Sequence, residues 1–556
     1  MPKEHPYSFD AYLKIRDAFN DYLDNPFVQQ ALQHYAHEEW PDLHAKLKTF
    51  SEKTSFRWRK MADDIAHPNH HPALQHYDAY NHRIDQIVRT ETSLQLQKEA
   101  FAERLFSKDT SDWERTAKRF LMHHNGEAGI MCPIACTDGL VALLETYEHT
   151  LNEPLQHILQ HCTEGIDGDF GVGAQFMSEI QSGSNIPANI LQAIPTDDGH
   201  DVLYGNKFFC SAAHADYTVV TARVKDTGHI GLFVVPSWLP GDKTKFKRNG
   251  AVINRLKRKL GTCELPTAEI DYDGAIAYPV GPIERGVANA VGIVLTRSRL
   301  DIGLASAAFM MRTAREALLY SRFREVFGRR IYQFPLANSQ LNVLEETAKR
   351  TTAGAFKLFS QWFELQREQY SPSRDEEAWK LRKFQLRELI LLQKITAAKE
   401  TVDMIRLGIS IFGGHGVMED FSSLPRLLRD AMVNELWEGP KNVLLAQIYR
   451  DFQRAAAWYS PREFVADLLP NHPYEEKEAL FRQLEACLAA DSLTGEPTGE
   501  NMQFARNWET VCEQLFIAYQ NEALMEMPKA PLVKQETLQA LEQTPSLQHL
   551  FEGVSR

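Results

Sequence analysis

Leu424-Pro425-Arg426-Leu427-Leu428-Arg429-Asp430 leads, six residues on, into Trp437-Glu438-Gly439-Pro440-Lys441-Asn442, which opens an apolar helical stretch. A carboxylate placed before a glycine at the mouth of a helix can face a ligand while its neighbours pack. The glycine lets backbone come close to that ligand, and N–H groups at a helix start can hold a phosphate. Taken alone, Glu438-Gly439 is a weak signal, since Glu-Gly pairs are common and most are surface turns. Upstream, Phe412-Gly413-Gly414-His415-Gly416 either cradles a pyrophosphate or ends the preceding helix. No strand precedes it, so it does not match the dinucleotide fingerprint.

Outward from these motifs the chain changes texture three times. Residues 1–170 read as a helical domain, with apolar spacing through Leu94, Leu96, Phe101, Leu105 and Phe106 and again through Leu140, Leu143, Leu144 and Leu151. Within it a loop rich in His, Pro and Asn runs from His67 to His76; the spacing of His67, His70, His71 and His76 fits no common ligand motif, so no metal is expected. Residues 171–285 read as a β domain, with strands at Asp201–Leu203 and Lys207–Phe209 around a turn at Gly205-Asn206, and at Tyr217–Val224 and His229–Val235. Residues 286–460 return to helical period in four long segments (Val287–Phe323, Asn338–Gln369, Arg374–Phe412 and Asn442–Tyr459), which suggests an antiparallel bundle. Residues 461–556 form an acidic helical extension; from 451 onward there are about nine more acidic than basic residues. The expected fold is therefore mainly α with a central β domain.

Composition narrows the function. With 556 residues and a net charge of −13, nucleic acid is not the expected main partner. The run Lys243, Lys245, Lys247, Arg248, Arg255, Lys257, Arg258 and Lys259 is the densest basic stretch, read as a solvated loop and strand or as a contact for an anion such as coenzyme A phosphates. Seven scattered cysteines give no disulfide framework, and Cys132 and Cys136, four apart, read as small buried hydrophobes. No run of about 20 apolar residues and no apolar segment behind Met1–Pro6 is seen, so the expectation is a cytoplasmic protein without membrane insertion.

Three further motifs complete the pattern: Met177-Ser178-Glu179-Ile180-Gln181-Ser182-Gly183-Ser184-Asn185, Lys207-Phe208-Phe209-Cys210-Ser211, and Arg324-Glu325-Val326-Phe327-Gly328. In their order and spacing, from about Pro72 to Phe452, they resemble the acyl-CoA dehydrogenase superfamily. Pro72–Asp85, Met131-Cys132-Pro133-Ile134 and Phe334-Pro335-Leu336 resemble its AidB-like branch, named for a bacterial alkylation-response flavoprotein.

The resemblance implies an N-terminal helical domain, a middle β-barrel or sandwich and a C-terminal four-helix bundle, with FAD between the β domain and the bundle of a homotetramer. It implies that Gln175, Met177, Ser178, Gly183 and Ser184 line the flavin, and that Phe209, Cys210 and Ser211 cover one flavin face. Trp437, Gly439 and Asn442 would hold flavin and nucleotide, while Arg324, Phe327, Gly413, Gly414 and Gly416 would serve the FAD of a partner subunit. Glu438 falls where the family carries its base: it would take the α-proton of an acyl-CoA thioester while hydride passes to flavin N5, and an electron acceptor would reoxidise the flavin. Some members carry the carboxylate where this chain has Ser298, which leaves the role to Glu438. Arg299 matches an arginine near the substrate, or is a charge paired on its helix. Pro440 stands where threonine is usual, Ser178 and Ser211 replace threonines, and Phe209 replaces a tryptophan. The alternatives are a flavoprotein of the AidB-like kind that binds acyl-CoA or fatty acyl chains with little turnover in a sensing, sequestering or stress-response role, a DNA-associated role, and an activity like nitroalkane oxidase.

Overall fold

The computed structural model describes residues 7–242, 244–489, 493 and 495–544; Met1–Pro6 and Lys243 lie outside the described residues. The chain divides into two compact units, each discontinuous in sequence. One, the barrel unit, is Trp58–Thr116 with Asn125–Asp301; the other, the bundle unit, is Met1–Arg57 with Ala117–His124 and Ile302–Arg556. In this grouping residues 7–57 fall with the bundle helices, and most of the remaining N-terminal helices fall with the β strands.

In the barrel unit, the stretch from His67 to His76 read as a loop begins with a short 3-10 turn at Pro68–His70, but its end, from Ala73, enters a hairpin of β1 (Ala73–Tyr77) against β2 (Arg83–Val88). Buried Asp85 holds it, accepting from His76 Nδ1 (2.8 Å), Arg83 Nε (3.0 Å) and the Ile253 N–H (3.0 Å). Seven more strands follow: β3 (Gly173–Phe176), β4 (Gln192–Pro195), β5 (Asp201–Ser211), β6 (Tyr217–Val224), β7 (Ile230–Pro236), β8 (Ala251–Leu256) and β9 (Thr267–Pro279). The pairings β6–β4–β5–β9–β7 return to β6, so five strands close into a ring, with β3 added to β6 and β8 to β9. Closure removes edges that would otherwise pair with other chains. Gly205-Asn206, expected as a turn, lies inside β5: the register slips between Leu203 and Tyr204, and the strand runs on. A glycine in mid-strand marks such an irregularity as readily as a turn.

Against β3 lies the helix Ala128–Thr146, which is long and apolar enough by length and composition to cross a membrane, contrary to the expectation that no such stretch exists. Most of its residues are buried. Its Thr137 hydroxyl accepts from the Gly173 N–H (2.8 Å), and a Cβ at Gly173 would stand 2.9 Å from the Thr137 Cα, so the close approach requires glycine.

The bundle unit is built on Ile302–Phe323, the C-terminal part of a longer helix, with the helices Pro335–Gln369, Glu376–Phe412, Leu424–Asn434 and Lys441–Ala455. Their starts carry the expected chemistry: Pro335 sits at the first helical position, and the Asp375 carboxylate accepts from the N–H groups of Glu377 and Ala378. The extension folds as helices Pro461–Leu468, Tyr474–Leu488, Gly499–Met525 and Gln535–Glu542. Gly499–Met525 packs on Pro335–Gln369 and Glu376–Phe412. Its seam is apolar, with Trp508, Leu515, Phe516 and Tyr519 buried and the Trp508 indole donating to the Leu445 carbonyl (3.0 Å). The acidic excess meets bundle cations: Glu526 pairs with Lys357 (2.6 Å), Glu513 with Lys399 (2.5 Å) and Glu509 with Lys441.

These pairs are partly exposed, and such pairs contribute about 0–1 kcal/mol each, whereas emptying a buried aromatic site costs about 3–5 kcal/mol. Trp508→Ala is therefore expected to destabilise the bundle unit by about 3–5 kcal/mol in chemical denaturation, and Glu513→Gln by no more than about 1 kcal/mol. The reverse order would show that the extension is held by charge.

Candidate active site

The helix Leu424–Asn434 ends at Glu435, and the next begins at Lys441 behind Pro440. Between them Glu438 has φ +61° and Gly439 φ +103°. Glycine adopts such values freely; for glutamate the left-handed region costs about 1–2 kcal/mol, and strain of this kind gathers at functional sites. Beneath the turn, Lys394 of the helix Glu376–Phe412, with no exposed surface, donates from Nζ to the carbonyls of Glu435 (2.8 Å) and Gly439 (2.6 Å). Trp437 is partly buried; its indole N–H is out of water and has no hydrogen-bond partner among the described residues. Asn442 is exposed in the first turn of the following helix. Trp437, Glu438, Gly439 and Asn442 thus form one contiguous group.

The glycine run is a second group. Gly413, φ +61°, caps the helix Glu376–Phe412, and a short 3-10 turn covers Gly413–Val417. Gly413 and Gly414 face open space where a Cβ would stand, whereas a Cβ at Gly416 would meet the Ile409 carbonyl at 2.4 Å, so Gly416 is required by packing. His415 anchors the run: its Nδ1 pairs with the Tyr320 hydroxyl (2.9 Å) and its ring stacks on Phe421. Arg324 follows the same helix as Tyr320 and leads into a two-strand hairpin, β10 (Glu325–Val326) and β11 (Arg329–Arg330). Phe327 and Gly328 form its tip at φ +50° and +74°, and Phe327 is 97% exposed. Lys394 and Gly413 are nineteen positions apart on one helix, which at 1.5 Å per residue separates the Glu438 turn from the glycine run by about 28 Å.

In the barrel unit, Gln175 on β3 donates to the Ser298 hydroxyl (3.1 Å), beside buried Arg299. The loop after β3 is fastened to β5 by the Phe208 N–H donating to the Ser178 carbonyl (2.9 Å), and Gly183 lies against the Ser178 hydroxyl. Met177 is nearly buried and Ser184 exposed. Phe209 presents 54% of its surface, with the Lys257 ammonium 4.5 Å from its ring centre. Ser211 pairs with the Thr267 hydroxyl (3.1 Å). Cys210, between them on the strand, is wholly buried, and burial pushes its thiol well up; its side chain offers no face to a ligand.

The loop owes its shape to residues that sequence reading passed over. Lys207 Nζ and Glu179 Oε1 pair at 2.9 Å with essentially no exposed surface, and Lys207 also donates to the Met177 carbonyl (3.2 Å). Asn189 reaches the same carbonyl (2.8 Å), and the Glu179 carboxylate accepts the N–H groups of Ile190 (2.7 Å) and Leu191 (3.2 Å). Burial pushes Lys207 down to about 8 against the pull of Glu179. Burial works to raise Glu179, but Lys207 and the Ile190 N–H hold it, on balance, below the usual carboxylate range. Much of the basic run is paired internally: Lys245 with Asp216 (2.8 Å) and Asp169 (3.1 Å), Arg255 (2.7 Å) and Lys257 (2.6 Å) with Glu269, and Arg248 over the Trp238 ring. This supports the structural reading of that run over an anion site.

Family models match three consecutive segments: the AidB N-terminal domain at 14–162, the acyl-CoA dehydrogenase middle domain at 174–275 and the acyl-CoA dehydrogenase C-terminal domain at 284–452. Acyl-CoA dehydrogenase family member 11 of Caenorhabditis elegans is 32% identical over 78% of this chain and 70% of its own. The solved structure of Caenorhabditis elegans ACDH-11 in complex with C11-CoA superposes with a TM-score of 0.75 at 25% identity, covering 96% of this chain and 94% of that one. An acyl-CoA dehydrogenase of Bacillus anthracis complexed with FAD shares the fold, with a TM-score of 0.58 at 16% identity over 96% and 95% of the two chains. The chain belongs to the acyl-CoA dehydrogenase family, and its N-terminal part is of the AidB type. Members are oxidoreductases acting on CH–CH bonds with FAD as cofactor. The residues fit that group: an indole N–H without a partner, an exposed aromatic face at Phe209 and open space at Gly413 and Gly414 lie among the positions expected to meet it.

Lys207→Met would leave the Glu179 carboxylate buried without its cation, which costs about 3–5 kcal/mol, and is expected to lower both the denaturation midpoint and FAD retention. Because Glu179 is held below its unfolded value, its contribution is complete above the ordinary carboxylate range and is lost as pH falls through the folded value. FAD release followed by fluorescence should therefore rise on acidification in that window, and Glu179→Gln should flatten the change.

Proposed function

We propose that this protein is an FAD-dependent acyl-CoA dehydrogenase that oxidises the Cα–Cβ bond of an acyl-CoA thioester, with Glu438 as the base. The observation that carries the proposal is the Glu438 turn: a carboxylate held left-handed, between an indole with an unused N–H and a helix start, where the family carries its base. From the resemblance, Gln175, Met177, Ser178, Gly183, Ser184, Phe209 and Ser211 are assigned to the flavin, as are Trp437, Gly439 and Asn442. Bound FAD supplies the hydride acceptor for the β-carbon. Glu438 takes the α-proton, and a base does this best when its pKa lies near the working pH. Arg299 acts toward the substrate. An electron acceptor completes the cycle. The C11-CoA held by ACDH-11 supports a medium-to-long acyl chain as ligand.

Arg324, Phe327, Gly413 and Gly414 are assigned to the FAD of a partner subunit in a homotetramer. Support comes from the distance of Gly413 and Gly414 along the helix from Lys394, which underlies the Glu438 turn, and from Phe327, whose phenyl ring stands in water on a left-handed residue. Both features are unfavourable in an isolated chain.

A second reading is kept because of Pro440. It stands where a threonine would supply a hydroxyl and an N–H, and the helix behind it begins without a side-chain cap. That reading is an AidB-like flavoprotein that binds acyl-CoA with little turnover.

Anaerobic titration with acyl-CoAs from short to long chain separates the two. Bleaching of the oxidised flavin by a preferred chain, abolished in Glu438→Gln, is the expected outcome. A flavin spectrum that shifts on binding without bleaching supports the binding protein instead. Phe327→Ala is expected to weaken FAD retention without altering the monomer's denaturation midpoint.

A further inference from the structure

Lys394 belongs to a helix of 37 residues, yet its ammonium is spent on the loop that follows a different helix. The two carbonyls it binds bracket Leu436, Trp437 and Glu438. The first, at Glu435, lies at the C-terminal end of Leu424–Asn434, where carbonyls lack helical partners and a cation is favoured. The second, at Gly439, immediately precedes Pro440, the cap of Lys441–Ala455. One buried charge therefore ties the end of one helix to the start of the next, across the two consecutive residues of positive φ. Glycine at 439 permits the turn but does not select it, since glycine loses more freedom on folding than any other residue.

From this geometry we propose that Lys394 is the positioning residue for Glu438: by holding the Glu435 and Gly439 carbonyls it fixes the left-handed turn that aims the Glu438 carboxylate. The proposal rests on Glu438 being the base. Lys394 touches main chain in this arrangement and moves no proton, so its loss should act on the rate of α-proton removal and leave acyl-CoA affinity largely intact. A base displaced by about 1 Å loses about 100-fold in rate.

The test compares Lys394→Met, Lys394→Gln and Glu438→Gln, each reconstituted with FAD. It measures anaerobic flavin reduction by a saturating acyl-CoA, acyl-CoA affinity from the spectral shift, and hydrogen exchange of the amides between 435 and 442. For Lys394→Met the expected result is reduction slowed by about 10- to 100-fold, affinity within about threefold, and faster exchange confined to that turn. Lys394→Gln, whose amide can still donate, should recover part of the rate and of the protection. If Lys394→Met reduces flavin at the native rate while Glu438→Gln does not, the positioning role is overturned and the base stands. If Glu438→Gln also reduces flavin at the native rate, the reading of Glu438 fails and the proposal falls with it. Loss of affinity and rate in equal measure, or exchange that rises throughout the bundle, would make Lys394 a general structural residue and overturn the proposal. Should Lys394→Met not fold, Lys394→Gln decides by the same readings.

Discussion

Backbone that leaves a helix or a strand inside a folded unit still needs partners for its carbonyls, because an unpaired polar group out of water costs free energy comparable to a lost hydrogen bond. In both units of this protein a buried lysine meets that need. Lys207 holds the Met177 carbonyl and the Glu179 carboxylate in the loop after β3, and Lys394 holds the Glu435 and Gly439 carbonyls around Glu438. An ammonium offers three donors on a flexible stem, so one side chain can fasten several points of irregular chain. The loops expected to carry the chemistry are thereby fastened to the regular elements beside them.

Much of this was legible from the amino acids. Gly439-Pro440 marks a helix boundary because glycine tolerates positive φ and proline begins helices, and the long apolar periods from Pro335 to Phe412 mark two bundle helices. The buried lysines were not legible, since a lysine in sequence reads as a surface charge and only tertiary contact shows otherwise. The β1–β2 hairpin was hidden because His, Pro and Asn around it look like loop composition. The helix Ala128–Thr146 was legible as a helix from Leu140, Leu143 and Leu144, but its apolar length was underread because Pro133, Asp138 and Gly139 interrupt the run. The division into units was out of reach for a simpler reason: Asp21 takes its N–H bond to Ser55 and its ion pair to Arg315, and such long-range contacts leave no periodic trace.

The extension shows how charge and packing divide their work. Its acidic excess was the feature legible in sequence; in the structure Glu509, Glu513 and Glu526 each face a bundle cation, while Trp508, Leu515, Phe516 and Tyr519 of the helix Gly499–Met525 are buried. Burial provides the larger share of the stabilisation, while complementary charges favour one register of helix against bundle. Lys357, Lys399 and Lys441, already paired with the extension's own carboxylates, offer little attraction to a polyanion, which weighs against the DNA-associated reading as net charge did from sequence.

The bundle geometry adds a constraint on assembly. A single helix, Glu376–Phe412, carries Lys394 under the Glu438 turn near its middle and the glycine run at its end, about 28 Å farther on. A straight helix cannot bring those positions together, so a group seated at Glu438 is not gripped by both through side chains that lie close to the axis. If the glycine run and the Phe327 tip serve the same cofactor chemistry, as proposed, they do so for a second copy, and each chain then presents parts of two sites. An exposed phenyl ring on a left-handed residue is poorly explained by the isolated chain, but it gains a physical reason when a second copy removes it from water.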